Sequence, residues 1–173
     1  NAFDWEMEFP EIFSPSPQGD LPAGQAGGRG EVRGFDVVVG NPPYVRPHNL
    51  EDFAKEYFWK HYKTFVKKSD LYCCFLQKAI DVTKNNGFLS YILSDGWLRL
   101  DSFEIMRQYV LSQCRVLQLV DLPDRVFDEA TVKTGILVFQ KELSDQQRSR
   151  NMIEVMNFNE TKRAIETLRH IPQ

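Results

Sequence analysis

The 173-residue chain is 42% hydrophobic and 26% charged, the balance of a globular domain able to bury a core. A net charge of −3 excludes an overall basic surface, so any affinity for nucleic acid has to come from a local patch. Three cysteines without a CxxC spacing argue against a disulfide framework and fit a reducing, cytoplasmic setting, and neither a membrane-length apolar run nor a signal peptide is visible.

Residues 1–13, NAFDWEMEFPEIF, mix aromatic and acidic side chains. The stretch that follows, SPSPQGDLPAGQAGGRGEVRG, is too rich in Gly, Pro and Ser to bury apolar surface, so residues 1–34 read as a lead-in and a flexible loop. Phe35–Val39 is the first clear strand, and the continuous rather than alternating apolarity after Asp36 predicts cover on both faces. It stops abruptly at Gly40-Asn41-Pro42-Pro43-Tyr44. Residues 51–67 predict a helix, with Phe58, Tyr62 and Phe65 on one face and Lys60, Lys63 and Lys67 on the other. Ser69 or Asp70 caps a second helix that runs to about Asn85 and ends at Asn86-Gly87. FLSYIL (88–93) is a strand, DSFEIMRQYVLSQ (101–113) a helix, and VLQLVDLP (116–123) and TVKTGILVFQK (131–141) are strands. This alternation predicts an α/β domain over residues 35–141 with a mostly parallel sheet. Residues 142–173, with MIEVMNFN and TKRAIETLRH, read as a linker or the start of a following domain. The chain begins without a methionine and reads as a piece of a longer protein.

The chemistry concentrates where the first strand ends. In open α/β sheets, ligands bind just beyond the carboxyl ends of the strands. An amide side chain at Asn41 both accepts and donates hydrogen bonds. Pro42 and Pro43 fix the backbone and remove its donors, leaving carbonyls as acceptors in a rigid turn. Tyr44 adds a flat aromatic face. Such a turn can accept both hydrogens of a planar NH₂ group and stack on the ring that carries it. An exocyclic amine of a nucleobase fits that description; the plain alternative is a proline-rich turn that only ends a strand.

Asp36–Tyr44 resembles the motif of amino-methyltransferases that use S-adenosylmethionine. FDWEMEFPEIF, DLYCCFLQKAIDVTKNNGFLSYILSDGWL (70–98) and RVFDEATVKTGILVFQK (125–141) extend the resemblance to N6-adenine DNA methyltransferases of restriction-modification systems, in particular the fusion enzymes. The resemblance implies the C-terminal half of a Rossmann-like methyltransferase fold, a mostly parallel sheet with an antiparallel last strand. It implies S-adenosyl-L-methionine as cofactor, double-stranded DNA as partner, and a prokaryotic cytoplasm as location. Carried over by residue, it gives Asn41, Pro42, Pro43 and Tyr44 the catalytic turn, Tyr44 and Phe127 the stacking on the extruded adenine, and Asn41 and Phe75 the cofactor side. Phe75 also fits plain helix core, through the 71/75/79 spacing.

The family's glycine-rich cofactor loop is not matched: Gly27-Gly28-Arg29-Gly30 has neither the strand before it nor the helix after it that such a loop requires. The expectation is therefore that this chain alone transfers no methyl group. The same tetrapeptide serves RNA and protein-glutamine amino-methyltransferases, and a non-catalytic binding module derived from such an enzyme is a further alternative. Lys60, Lys63 and Lys67, interleaved with aromatics, are candidates for phosphate contact, or simply a solvated helix face. His48, His61 and His170 show no metal-ligand spacing, so no metal is expected. Asp95 reads as a turn cap. An unpaired sheet edge makes self-association of the fragment a candidate property.

Overall fold

The computed structural model describes residues 5–13, 34–123 and 133–173. Phe127, Gly27–Gly30 and the loop read over residues 14–33 lie outside them. Two four-residue helices, α1 (Trp5–Glu8) and α2 (Pro10–Phe13), precede β1 (Phe35–Gly40). There follow α3 (Asp52–His61), α4 (Tyr72–Val82), β2 (Thr83–Ser94), α5 (Gly96–Arg99), α6 (Glu104–Gln113) and β3 (Cys114–Asp121). The last elements are β4 (Thr134–Lys141), α7 (Asp145–Ser149), β5 (Met152–Asn159) and β6 (Ala164–Pro172).

All six strands form one sheet in the order β1-β2-β4-β3-β5-β6. β1 runs parallel to β2 and β3 parallel to β5, while β4 lies antiparallel between β2 and β3, and β6 antiparallel to β5. Four strands thus point one way and two the other. The parallel β1–β2 pair needs a crossover, which α3 and α4 supply; α5 and α6 make the second crossover, from β2 to β3.

The core lies between the sheet and the pair α4–α6. Tyr72, Leu76 and Ile80 of α4 and Met106 and Val110 of α6 pack on Leu89 and Leu93 of β2 and Phe139 of β4, all essentially buried. Side chains alternate along β2, so only its odd-numbered residues from Leu89 to Leu93 face this core. The same alternation corrects the expectation for β1. Val38 packs against the core, but Val37 and Val39 are 58% and 71% exposed, because both helices lie on the face that Val38 shares with Leu89.

Three further expectations are corrected. The helix predicted over 51–67 ends at His61, where Tyr62 turns extended. Beyond it the Thr64 amide donates to the Gln77 side chain at 3.1 Å and the Thr64 hydroxyl to the Cys73 carbonyl at 2.8 Å, bonds a continuing helix would forbid. Phe58, Tyr62 and Phe65 still meet, around Leu71 and Cys74, so the apolar grouping survives without the helix. The second helix stops at Val82, where Thr83 turns extended and donates its hydroxyl to the Ala79 carbonyl at 2.7 Å; Asn86 then takes a left-handed φ of 63° before the strand resumes opposite Val37. Finally, residues 142–173 continue the same sheet. β5 pairs with β3 over Gln118–Asp121, and where that ladder stops the Asn151 side chain donates to the Val116 carbonyl at 2.7 Å and Gln173 to the Cys114 carbonyl at 2.8 Å.

Gly40, the last residue of β1, lies opposite Tyr91 with no room for a side chain: a Cβ there would stand 2.9 Å from the Tyr91 ring, itself buried. Gly40→Ala is expected to lower stability by about 1–3 kcal/mol, the cost of overpacking, read as a lower urea midpoint at unchanged slope. An unchanged midpoint would show that the Tyr91 ring yields freely.

Candidate active site

β1 ends at Gly40 because the chain beyond it can no longer feed a ladder: Pro42 and Pro43 have no N–H to donate. The turn therefore emerges at the carboxyl end of a parallel strand. Pro42 is buried and anchors it, whereas Asn41 and Pro43 are exposed. Tyr44 is half-buried, and its hydroxyl donates to the Ile92 carbonyl of β2 at 3.0 Å. The Asn41 Oδ1 lies 3.5 Å from the same hydroxyl. A phenol has one proton, and the shorter bond takes it, so the Asn41 side-chain oxygen stays available as an acceptor at the surface.

A ring stack supports the turn from below. The Tyr44 ring stands edge-on to Tyr72 with centroids 5.8 Å apart, and Tyr72 stacks on Phe103 at 5.4 Å. Tyr72 is the first residue of α4 and Phe103 immediately precedes α6, so the two core helices meet beneath the turn. Burial pushes the Tyr44 hydroxyl above the ordinary phenol range, and the nearby Asp70 charge adds to the effect. Tyr44 is thus neutral at physiological pH and serves as a donor and an aromatic surface.

The far side of the turn is tied to the start of α4. The Leu71 amide donates to the Val45 carbonyl at 2.9 Å. Asp70, only 4% exposed, sits 3.7 Å from the Arg46 guanidinium and accepts from the Tyr72 amide at 3.5 Å. Burial lifts the Asp70 carboxyl above the ordinary carboxylate range, partly offset by the Tyr72 amide, Arg46 and the Val45 and Leu71 amides. In the sequence Asp70 reads only as a helix cap and Arg46 carries no assigned role. Their only signal was the pairing of an acid at a helix start with a base just past the turn.

The other candidates are distributed differently. Phe75 lies on α4 but is 42% exposed, so it is not helix core despite its spacing. Lys60 lies on α3, while Lys63 and Lys67 fall in the irregular connection after it; all three are exposed but do not form one helical face. Asp95 pairs with Arg99 and opens the turn into α5. Burial pushes the Cys73 and Cys114 thiols up to about 12 and Cys74 higher still, which removes them as nucleophiles. Among the described residues no cluster of His, Cys, Asp or Glu is placed to hold a metal ion.

The family model described as Eco57I restriction-modification methylase matches residues 1–127. The restriction enzyme and methyltransferase RM.Eco57I of Escherichia coli is 29% identical over 115 residues, 64% of this chain and 12% of that protein. Methyltransferase M.BstVI of Geobacillus stearothermophilus is 34% identical over 88 residues, 51% of this chain and 16% of that protein. The adenine-specific methyltransferase BrxX of E. coli is 32% identical over 95 residues, 55% of this chain and 8% of that protein. The chain therefore spans well under a fifth of each of these relatives. Among solved structures, a class I S-adenosylmethionine-dependent methyltransferase from Listeria monocytogenes superposes with a TM-score of 0.57 at 18% identity, over 72% of this chain and 36% of that one. The type IIG restriction endonuclease BpuSI gives 0.57 at 19% identity, over 79% of this chain and 19% of that one. These superpositions show a shared fold, that of S-adenosylmethionine-dependent methyltransferases.

The raised Asp70 carboxyl makes a signed prediction. Below pH 3.8, its ordinary value, the group is protonated whether the chain is folded or not. As pH rises above that value the unfolded chain releases the proton first, so the group's contribution to stability is lost as pH passes through the folded value. Asp70→Asn lacks this loss. Its stability relative to the parent chain is expected to grow as pH rises from 3.8 toward neutrality, measured by urea unfolding at stepped pH; a difference that stays constant would contradict the assignment.

Proposed function

The chain belongs to the Eco57I restriction-modification methylase family, and we propose that it forms the target-base side of a DNA adenine-N6 methyltransferase whose complete catalytic unit is longer than these 173 residues. One observation carries this reading: an exposed Asn41 acceptor and a Pro42 carbonyl at the carboxyl end of β1, on a turn held by the Tyr44–Ile92 bond. RM.Eco57I is a type II restriction enzyme and methyltransferase, M.BstVI a type II methyltransferase and BrxX an adenine-specific one, which favours DNA adenine over the RNA amines and protein-glutamine amides that the same turn could hold.

In this reading the Asn41 Oδ1 and the Pro42 carbonyl accept the two N–H groups of the adenine amine. Doing so draws the nitrogen out of conjugation with the ring and leaves its lone pair available. No strong base is needed beforehand; the proton leaves once the nitrogen carries the methyl group. S-adenosylmethionine, when bound, supplies the electrophilic methyl. The residues present fit one part of that cofactor: Phe75 offers an exposed aromatic surface of the kind an adenine ring stacks on. The target base has to leave the duplex, at a cost of a few kcal/mol. Stacking on Tyr44 returns about 1–3 kcal/mol, and Phe127 is proposed to add a second ring from outside the described residues.

Lys60, Lys63 and Lys67 have no carboxylate within ion-pair distance among the described residues and are proposed to meet phosphates of the bound duplex. The outer edges of β1 and β6 end the described sheet and are where copies of the isolated chain would pair. None of the described helices is long and apolar enough to cross a membrane, and the proposed setting is the bacterial cytoplasm.

The test uses the parent enzyme, labelled S-adenosylmethionine and duplex DNA, with Asn41→Ala beside wild type. Transfer is expected to fall about 100- to 1,000-fold, the loss typical when one group polarising the reacting centre is removed. Equal transfer by both proteins would overturn the assignment of Asn41.

A further inference from the structure

We infer that Asp70 is a positioning residue for the Asn41–Tyr44 turn, an inference that rests on the adenine-methylation reading above. The segment that leaves the turn's rigid centre, Tyr44–Arg46, is fastened to two different elements. On one side the Tyr44 hydroxyl bonds β2 at Ile92. On the other, the two residues that leave the turn are held at the start of α4: Val45 through its carbonyl by the Leu71 amide, and Arg46 through the Asp70 carboxylate. Asp70 also faces the Tyr72 amide, and Tyr72 carries the edge of the Tyr44 ring. One buried side chain thus meets both the chain leaving the turn and the residue that supports its aromatic face.

The burial of Asp70 separates positioning from mere stability. Its side chain is 6% exposed, whereas that of Arg46 is 48% exposed and long enough to swing freely if released. A carboxylate withdrawn from water is held at a cost to folding, and a neutral acceptor would satisfy the Tyr72 amide at a smaller one. Among the described residues, the Asp70 carboxylate is the group that pairs with the guanidinium. Holding it fixes Val45–Arg46, and through them the direction in which Asn41 and Pro42 present their oxygens. A displacement of about 1 Å at a reacting centre costs on the order of 100-fold in rate.

The experiment measures the parent enzyme with Asp70→Asn and Asp70→Ala, following kcat, the KM values for DNA and S-adenosylmethionine, thermal stability and the pH profile. Asp70→Ala is expected to lower kcat about 100-fold with both KM values within about twofold of wild type. Asp70→Asn, which keeps an acceptor oxygen without the charge, is expected to be at least as stable as wild type near neutrality yet slower in kcat. The titratable and charged groups around Asp70 are Arg46, Tyr44, Tyr72 and Cys73. With those unchanged, wild-type kcat falls as Asp70 takes up its proton on the acid side, and the Asn variant is flat there. A purely structural Asp70 would move stability and kcat together; that outcome, or variants matching wild type within about twofold, overturns the inference alone. A wild-type parent that methylates no DNA overturns the proposed function and the inference with it.

Discussion

A β-strand needs an N–H at every second residue to stay in its ladder, and β1 meets two consecutive residues that have none. Everything distinctive about this chain follows from where that break falls. It comes at the carboxyl end of a strand paired in parallel with β2, so the backbone turns away just as it leaves the sheet, and the next side chain is an amide. A proline pair elsewhere would be a loop. Here the sheet supplies a rigid platform and the crossover through α3 and α4 brings a supporting helix directly behind the turn.

The support is mainly a set of rings and short polar bonds. Tyr44, Tyr72 and Phe103 form a chain of aromatic contacts from the turn down to the start of α6, so the turn rests on the same packing that joins the two core helices. Gly40 makes this possible by letting β1 close on the Tyr91 ring. The polar bonds then choose an orientation: the single proton of Tyr44 goes to Ile92, which frees the Asn41 oxygen, while Leu71 and Asp70 hold the exit. Apart from Tyr44, the groups that hold the turn lie behind it rather than among those proposed to touch a substrate. The chain belongs to the Eco57I restriction-modification methylase family, shares the methyltransferase fold, and spans under a fifth of each curated relative reported above.

Much of this could be read from the sequence because the signals were local. The apolar runs at Phe35–Val39 and 88–93, the helical spacing of Phe103, Met106 and Val110, and the proline pair each report on their own neighbourhood. What failed was decided by distant partners. The helix expected to reach residue 67 stops at His61 because Gln77 and Cys73, on the next helix, take the polar groups of Thr64. The apolar run of β1 implied cover on both faces, yet both core helices pack on one. Residues 142–173 carried strand-like patterns but no sign of which sheet they would join, since parallel pairing with β3 is a long-range event. Phe75 fitted a core spacing on paper and lies at the surface, because its helix buries the neighbouring stripe through Tyr72, Leu76 and Ile80. Asp70 was invisible for the same reason: a capping acid and a buried clamp look alike until the chain folds.

Whether the end of β1 holds an exocyclic amine for methylation is decided most directly by the identity of the methylated atom. DNA treated with the parent enzyme and labelled S-adenosylmethionine would be digested to nucleosides and resolved by mass. The account predicts label in N6-methyldeoxyadenosine. Label on a ring carbon, or a protein that binds the cofactor and leaves DNA unlabelled, would contradict it.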